Sequence, residues 1–215
     1  MRIKIARDYY DDRDYIYQRS VVDFRPGVTI LVGCNGSGKS TLLRQIKDYC
    51  TCKDIPHIEF DNYKDGGGQA MNRKGFYGDI DGLIMDICSS EGERINNNLG
   101  IYAGQIGNFV RQNENKGKPL VILMDAIDSG LSIDYVIELK ELLFKTILED
   151  CNSKGIEVYI IASANEYELA RGENCFNVKT CQYKKIPNYS SYRKVIIDTR
   201  KYKNKRYKHG EFEFE

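Results

Sequence analysis

The sequence predicts an α/β fold, a mainly parallel β-sheet covered by helices and entered through a small N-terminal antiparallel β arm. Three observations point to it. The apolar runs Val28–Val32, Leu120–Met124 and Glu157–Ala162 have the length and β-branched content of buried strands. Between them lie stretches with apolar residues at helical spacing, and strands alternating with helices require parallel pairing with both faces covered. The first run also passes directly into Gly33-Cys34-Asn35-Gly36-Ser37-Gly38-Lys39-Ser40-Thr41, a glycine-rich turn that opens a helix.

Taken in order, Arg2–Ala6, Asp14–Tyr17 and Ser20–Phe24 are short β-rich pieces, broken by Tyr9–Arg13 and closed by Pro26-Gly27. They predict the antiparallel arm, residues 1–27. Leu42, Leu43, Ile46 and Tyr49 give the helix after the glycine turn a core face. His57–Phe60 is the next strand. A polar loop follows over Asp61–Asp79 with Gly66-Gly67-Gly68 at its centre, a length that marks function more often than idleness. Ile95, Leu99, Tyr102, Ile106 and Phe109 mark a long helix, and Ile133 to Leu148 trace another. Residues 28–172 form the core of a single domain spanning 1–215. Residues 173–215 add a hairpin, Cys175–Tyr183 around Lys179-Thr180, and a basic helix from about Ser190 to Lys203.

The spacing Gly33-x-x-x-x-Gly38-Lys39-Ser40, between a strand and a helix, is the P-loop pattern of nucleoside triphosphate binding. Glycines let the backbone turn tightly so that its N–H groups face a phosphate. Lys39 supplies charge for the β- and γ-phosphates, the Ser40 hydroxyl suits Mg²⁺, and the following helix aims its positive end at the same anion. Asp125, at the end of its apolar strand, is the carboxylate expected beside the P-loop strand as the second protein contact of that Mg²⁺. The cofactors expected are therefore ATP and Mg²⁺.

Lys and Arg total 32 against 31 Asp and Glu, so no global field draws the chain to nucleic acid or membrane. No apolar run approaches the length of a membrane helix, and Asp8 argues against a signal peptide. Seven scattered cysteines without a C-x-x-C pair suit neither a disulfide framework nor zinc. A cytoplasmic protein is expected.

Ser89-Ser90-Glu91-Gly92-Glu93-Arg94 opens the long helix. A capping box accounts for Ser90 and Glu93 but gives no reason for Gly92. Ser90-Glu91-Gly92-Glu93-Arg94 is similar to the Ser-Gly-Gly-Gln signature of ABC-type ATPases. Asp128-Ser129-Gly130-Leu131-Ser132 resembles their D-loop, and Asn35-Gly36-Ser37-Gly38-Lys39-Ser40-Thr41 looks like their Walker A motif. Asp23-Phe24 and Pro26-Gly27 ahead of Val28–Val32, together with the Ser-x-Gly-Glu signature, resemble the heads of SMC, RecF and related DNA-repair ATPases. Only a short stretch separates Lys39 from Ser90, so this would be a head without a coiled-coil insertion.

The resemblance implies a head-to-tail homodimer with two ATP molecules at its interface. Each would lie on one P-loop and be capped by the partner's Ser90, Gly92 and Glu93. Asp128 and Ser129 would border the same nucleotide. Gln69 is the candidate for the glutamine that touches Mg²⁺ and the attacking water in the family, with a solvated loop residue as the alternative.

Two positions depart from the family. Ala126 stands where a Glu orients and deprotonates water, and a lost general base costs about 10²–10⁴-fold in rate. Asn165, in Ala162-Ser163-Ala164-Asn165, stands where a switch His is usual. Asn165 or Ser163 can hydrogen-bond a γ-phosphate, but neither is a base at neutral pH. Either Ala126 is the natural residue of a switch that hydrolyses slowly, or it replaces a natural Glu so as to hold the ATP-bound state. As given, the chain is expected to be a weak or inactive ATPase.

Arg193, Lys194, Arg200, Lys201, Lys203, Lys205, Arg206 and Lys208, with Tyr192, Tyr202 and Tyr207 among them, form a basic tail. It reads as a solvated helix face or as a DNA-tracking surface on which bases stack. The expected function is an ABC-class ATPase of the SMC/RecF-like kind acting in DNA maintenance or genome defence. The alternatives are an ATP-gated regulatory module that signals to an effector protein and, third, a transporter subunit.

Overall fold

The computed structural model describes residues 1–7, 15–61 and 91–208, with the side chains of 91–99, 102 and 206–208 excepted. The elements are β1 (Arg2–Lys4), β2 (Val21–Asp23), β3 (Gly27–Val32), α1 (Lys39–Cys52), β4 (His57–Asp61), α2 (Glu91–Asn113) and β5 (Leu120–Asp125). Next come α3 (Ile133–Glu138), a π-helical stretch (Leu139–Phe144), α4 (Lys145–Ser153), β6 (Val158–Ser163) and α5 (Tyr167–Ala170). The chain continues through β7 (Asn174–Asn177) and β8 (Gln182–Tyr183) to α6 (Tyr189–Lys208).

Side-chain alternation sorts each apolar run onto two faces of one sheet. Val28, Ile30 and Val32 of β3, Leu120, Ile122 and Met124 of β5, and Val158, Ile160 and Ala162 of β6 face one core with α2, α3, α4 and α6. Leu31, Val121, Leu123, Tyr159 and Ile161 face the other, with α1 and the N-terminal arm. Burial on both faces explains why these runs are continuously apolar. The sheet has six strands in the order β4-β5-β6-β3-β7-β8, parallel except for the β7–β8 pair. This is an α/β fold with a mostly parallel sheet flanked by helices, as a P-loop NTPase requires.

The strand order corrects one expectation. β5, which ends in Asp125, does not lie beside the P-loop strand; β6 pairs with both β3 and β5 and stands between them. The Cys175–Tyr183 hairpin joins the main sheet, with β7 parallel to β3 on its other side.

A second correction concerns the arm. β1 and β2 pair antiparallel, but residues 15–18 bend instead of forming the expected strand; Asp14 lies outside the described residues. Ile16 and Tyr17 are both buried, and consecutive inward side chains are incompatible with the alternation of a ribbon that has one solvated face. The segment is held by Ile16 N–H to the Arg7 carbonyl (2.7 Å) and Gln18 N–H to that of Lys179 (2.9 Å). The predicted 133–148 helix is helical throughout but widens to π geometry over Leu139–Phe144. Among the described residues no helix is long and apolar enough to cross a membrane.

Candidate functional site

The loop between β3 and α1 turns where its sequence permits. Gly36 and Gly38 have φ of +74° and +97°, the left-handed region that glycine enters freely. Close packing adds a second constraint. A Cβ on Gly33 would fall 2.5 Å from Ser37 Oγ, and one on Gly38 would fall 2.6 Å from Ile16 Cγ2. The buried Tyr17 hydroxyl donates to the Gly38 carbonyl at 2.7 Å, so the bent arm segment braces the loop where the helix begins.

α1 starts at Lys39 with no side-chain cap and no acidic residue in its first turn. Its leading backbone N–H groups therefore open toward the loop, as an anion site needs. Lys39 is 7% exposed, and its ammonium donates to the Gly33 carbonyl at 2.9 Å, which folds it back over the loop. Burial lowers its pKa, partly offset by the Asp128 and Asp125 carboxylates. An anion in the loop would restore the full preference for the charged form. Ser37 Oγ is buried without a hydrogen-bond partner, an orphan polar atom inside the turn. Cys34 and Thr41 are buried as well.

Asp125 ends β5 at the sheet edge that carries the loop. It shares a cavity of about 370 Å³ with Ser40, Arg44, Lys47, Glu59 and Asp61. Asp61 is its register partner on β4. The Ser163 hydroxyl donates to Asp125 Oδ1 at 2.6 Å and accepts the Ala126 N–H at 2.7 Å, so it serves the carboxylate and is not turned to a phosphate. Ala126 itself adopts a left-handed φ of +52°.

Asp128 is 1% exposed, and burial pushes its carboxyl pKa up to about 6 despite N–H bonds from Glu166 and Asn165, both 2.7 Å. Asn165 Nδ2 donates to Ser129 Oγ at 2.6 Å. Asp128 and Ser129 are thus tied within the chain to the turn after β6.

The structure therefore brings together Gly33, Cys34, Asn35, Gly36, Ser37, Gly38, Lys39, Ser40 and Thr41 with Asp125, Ala126, Asp128, Ser129 and Asn165. Ser90 and Gln69 lie outside the described residues. Gly92 and Glu93 are on the first turn of α2, where side chains are not described. Tyr17, Asp61, Thr199 and Lys203 belong to the site and were not anticipated. Only Asp61 carried a local signal, as the residue closing the strand after the phosphate-binding helix.

The basic tail is α6, and two of its tyrosines are bonded back to the fold, while Tyr189 at its start is exposed. Tyr192 is buried and donates to the Asn165 carbonyl at 3.0 Å, and the Tyr202 hydroxyl donates to the Tyr15 carbonyl at 2.8 Å. Arg193, Lys194, Arg200, Lys201 and Lys205 remain on the exposed face.

Residues 15–105 match the family described as an AAA domain. The match covers the glycine loop and α1, and it supports a nucleotide-binding ATPase domain of the AAA/P-loop class. No curated protein matches the sequence.

Proposed function

We propose that this chain is an SMC/RecF-like ABC-class ATPase domain that binds MgATP and pairs head to tail with a second copy around two nucleotides, acting in DNA maintenance or genome defence. The observation that carries the reading is the loop of residues 33–38: two left-handed glycines, the recessed Lys39 and an uncapped helix start converge on one point. A triphosphate fits that donor set, and the orphan Ser37 hydroxyl supplies one more donor. Ser40 and Asp125 line one cavity and would hold the Mg²⁺, with Gln69 as a further candidate ligand. When bound, the cation neutralises phosphate charge. The pairing rests on the sequence alone: Ser90, Gly92 and Glu93 at the start of α2 resemble the signature that caps a partner's γ-phosphate.

One observation favours a second reading, an ATP-gated module that signals to an effector protein with little hydrolysis. Ala126 has no proton acceptor, and Ser163 beside it is committed to Asp125. Sedimentation velocity with and without MgATP tests the pairing. ATP should convert monomer to dimer, and Ser90→Arg should abolish the dimer while leaving nucleotide binding intact. A chain that binds ATP and stays monomeric refutes the sandwich and leaves a nucleotide binder.

A further inference from the structure

The phosphate loop is gripped from outside by a helix that follows it by more than 150 residues. Thr199 of α6 is 1% exposed, and its hydroxyl accepts the Cys34 N–H at 2.9 Å while donating back to the Val195 carbonyl at 2.9 Å. One turn later Lys203 Nζ donates to the Asn35 carbonyl at 3.0 Å. Its methylenes pass over Gly36, where a Cβ would come within 3.3 Å of Lys203 Cδ. Consecutive loop residues are thus bonded to consecutive turns of α6. The other end of the loop is braced at the Gly38 carbonyl by Tyr17, whose segment α6 also holds through Tyr202.

We propose that Thr199, supported by Lys203, is a positioning residue for triphosphate binding, acting through the Cys34 and Asn35 backbone; this rests on the ATP-binding reading above. A loop of amides binds phosphate well only when those amides already converge, because ordering them afterwards is subtracted from affinity. The Cys34 N–H has no access to water, so without Thr199 it must stay unsatisfied or rotate the peptide toward another acceptor. Rotation spreads the loop. α6 itself stays anchored by Tyr192 and Val195 in the core, so the loss falls on the loop more than on the helix. Coupling of this kind is reciprocal: a filled loop holds α6 more firmly.

The test is titration of the full chain with a fluorescent ATP analogue and Mg²⁺, alongside unfolding midpoints without nucleotide and amide exchange over 195–203. Thr199→Val should weaken binding about tenfold, while Thr199→Ser stays within about twofold of the parent. Lys203→Ala, on a partly exposed side chain, should cost about threefold. In the parent, nucleotide should slow exchange over 195–203, and Thr199→Val should lose that protection. A purely structural contact would lower the Thr199→Val midpoint, leave the affinity of the folded protein unchanged and give no nucleotide-dependent protection, and that result overturns the proposal. Should Thr199→Val fail to fold, unchanged affinity in Lys203→Ala overturns it instead. Lys39→Ala separates the two levels: if it binds nucleotide like the parent, the loop is not the triphosphate site and both readings fall. If Lys39→Ala abolishes binding while the Thr199 and Lys203 variants retain it, only the positioning role falls.

Discussion

Ser163 is the hydrogen-bond donor that orients Asp125: its hydroxyl lies 2.6 Å from Oδ1, and the same oxygen receives the Ala126 N–H. A carboxylate meant for a cation is most useful when one lone pair is already engaged and the other points outward. Ser163→Ala should therefore weaken Mg²⁺ binding in the presence of nucleotide about tenfold, with nucleotide affinity in the absence of metal nearly unchanged. Manganese titration followed by electron spin resonance reads the first quantity directly.

Ala126 follows Asp125 at the sheet edge and brings no titratable group. In Ala126→Glu, turnover should rise by about 10²-fold or more if a water-activating carboxylate is what the site lacks. The left-handed φ of +52° is already borne by alanine, so glutamate adds little backbone strain. Phosphate release under single-turnover conditions checks it. No gain would favour the signalling module over the ATPase.

Gly38→Ala meets two obstacles together: a φ of +97° and Ile16 Cγ2 at 2.6 Å from the new methyl carbon. Overpacking of this kind costs about 1–3 kcal/mol, and it falls where the loop meets α1. Nucleotide binding should be lost while far-ultraviolet circular dichroism stays that of the parent.

Asp128 gives stability a pH dependence with a definite sign. Its folded pKa of about 6 lies above the ordinary carboxyl value of 3.8, so the folded state holds this proton more tightly than the unfolded one. The contribution is fully present below pH 4 and is lost as pH rises through about 6. Its size is on the order of 2–3 kcal/mol. Urea unfolding at a series of pH values should show this falling component in the parent, and Asp128→Asn should remove it.

The inward turn of Tyr192 and Tyr202 changes what a nucleic-acid role for α6 would look like. With those two hydroxyls engaged inside the chain, the DNA-binding proposal rests on the exposed cations and predicts phosphate contacts independent of sequence. Lys201→Ala combined with Lys205→Ala should lower duplex affinity and reduce the salt slope by about two. Lys203 is left out of that pair because its ammonium is bonded to Asn35.

Residues 28–52 were legible because the pattern that announces them is local: a β-branched run, glycines at fixed offsets, then an amphipathic helix. The same holds for Asp125, which ends an apolar strand. Thr199, Lys203 and Tyr17 were not legible, because their partners in the loop are brought to them only by the finished topology. The misreading at Ile16-Tyr17 has a simple cause. Polarity alternates there, but both side chains turn inward to cover Gly38. The π-helical stretch was invisible for another reason: one wider turn leaves the apolar pattern of residues 133–148 almost unaltered.

The placement of β6 has a consequence for tuning this protein. The phosphate loop and Asp125 ride on strands that never touch, so the distance between them is gauged by the strand in the middle, about 4.8 Å for each pairing. Main-chain hydrogen bonding sets that width, and no exchange of side chains can dial it. Variants of the pocket will make its grip stronger or weaker, but the size of what it grips is built into the weave of the sheet.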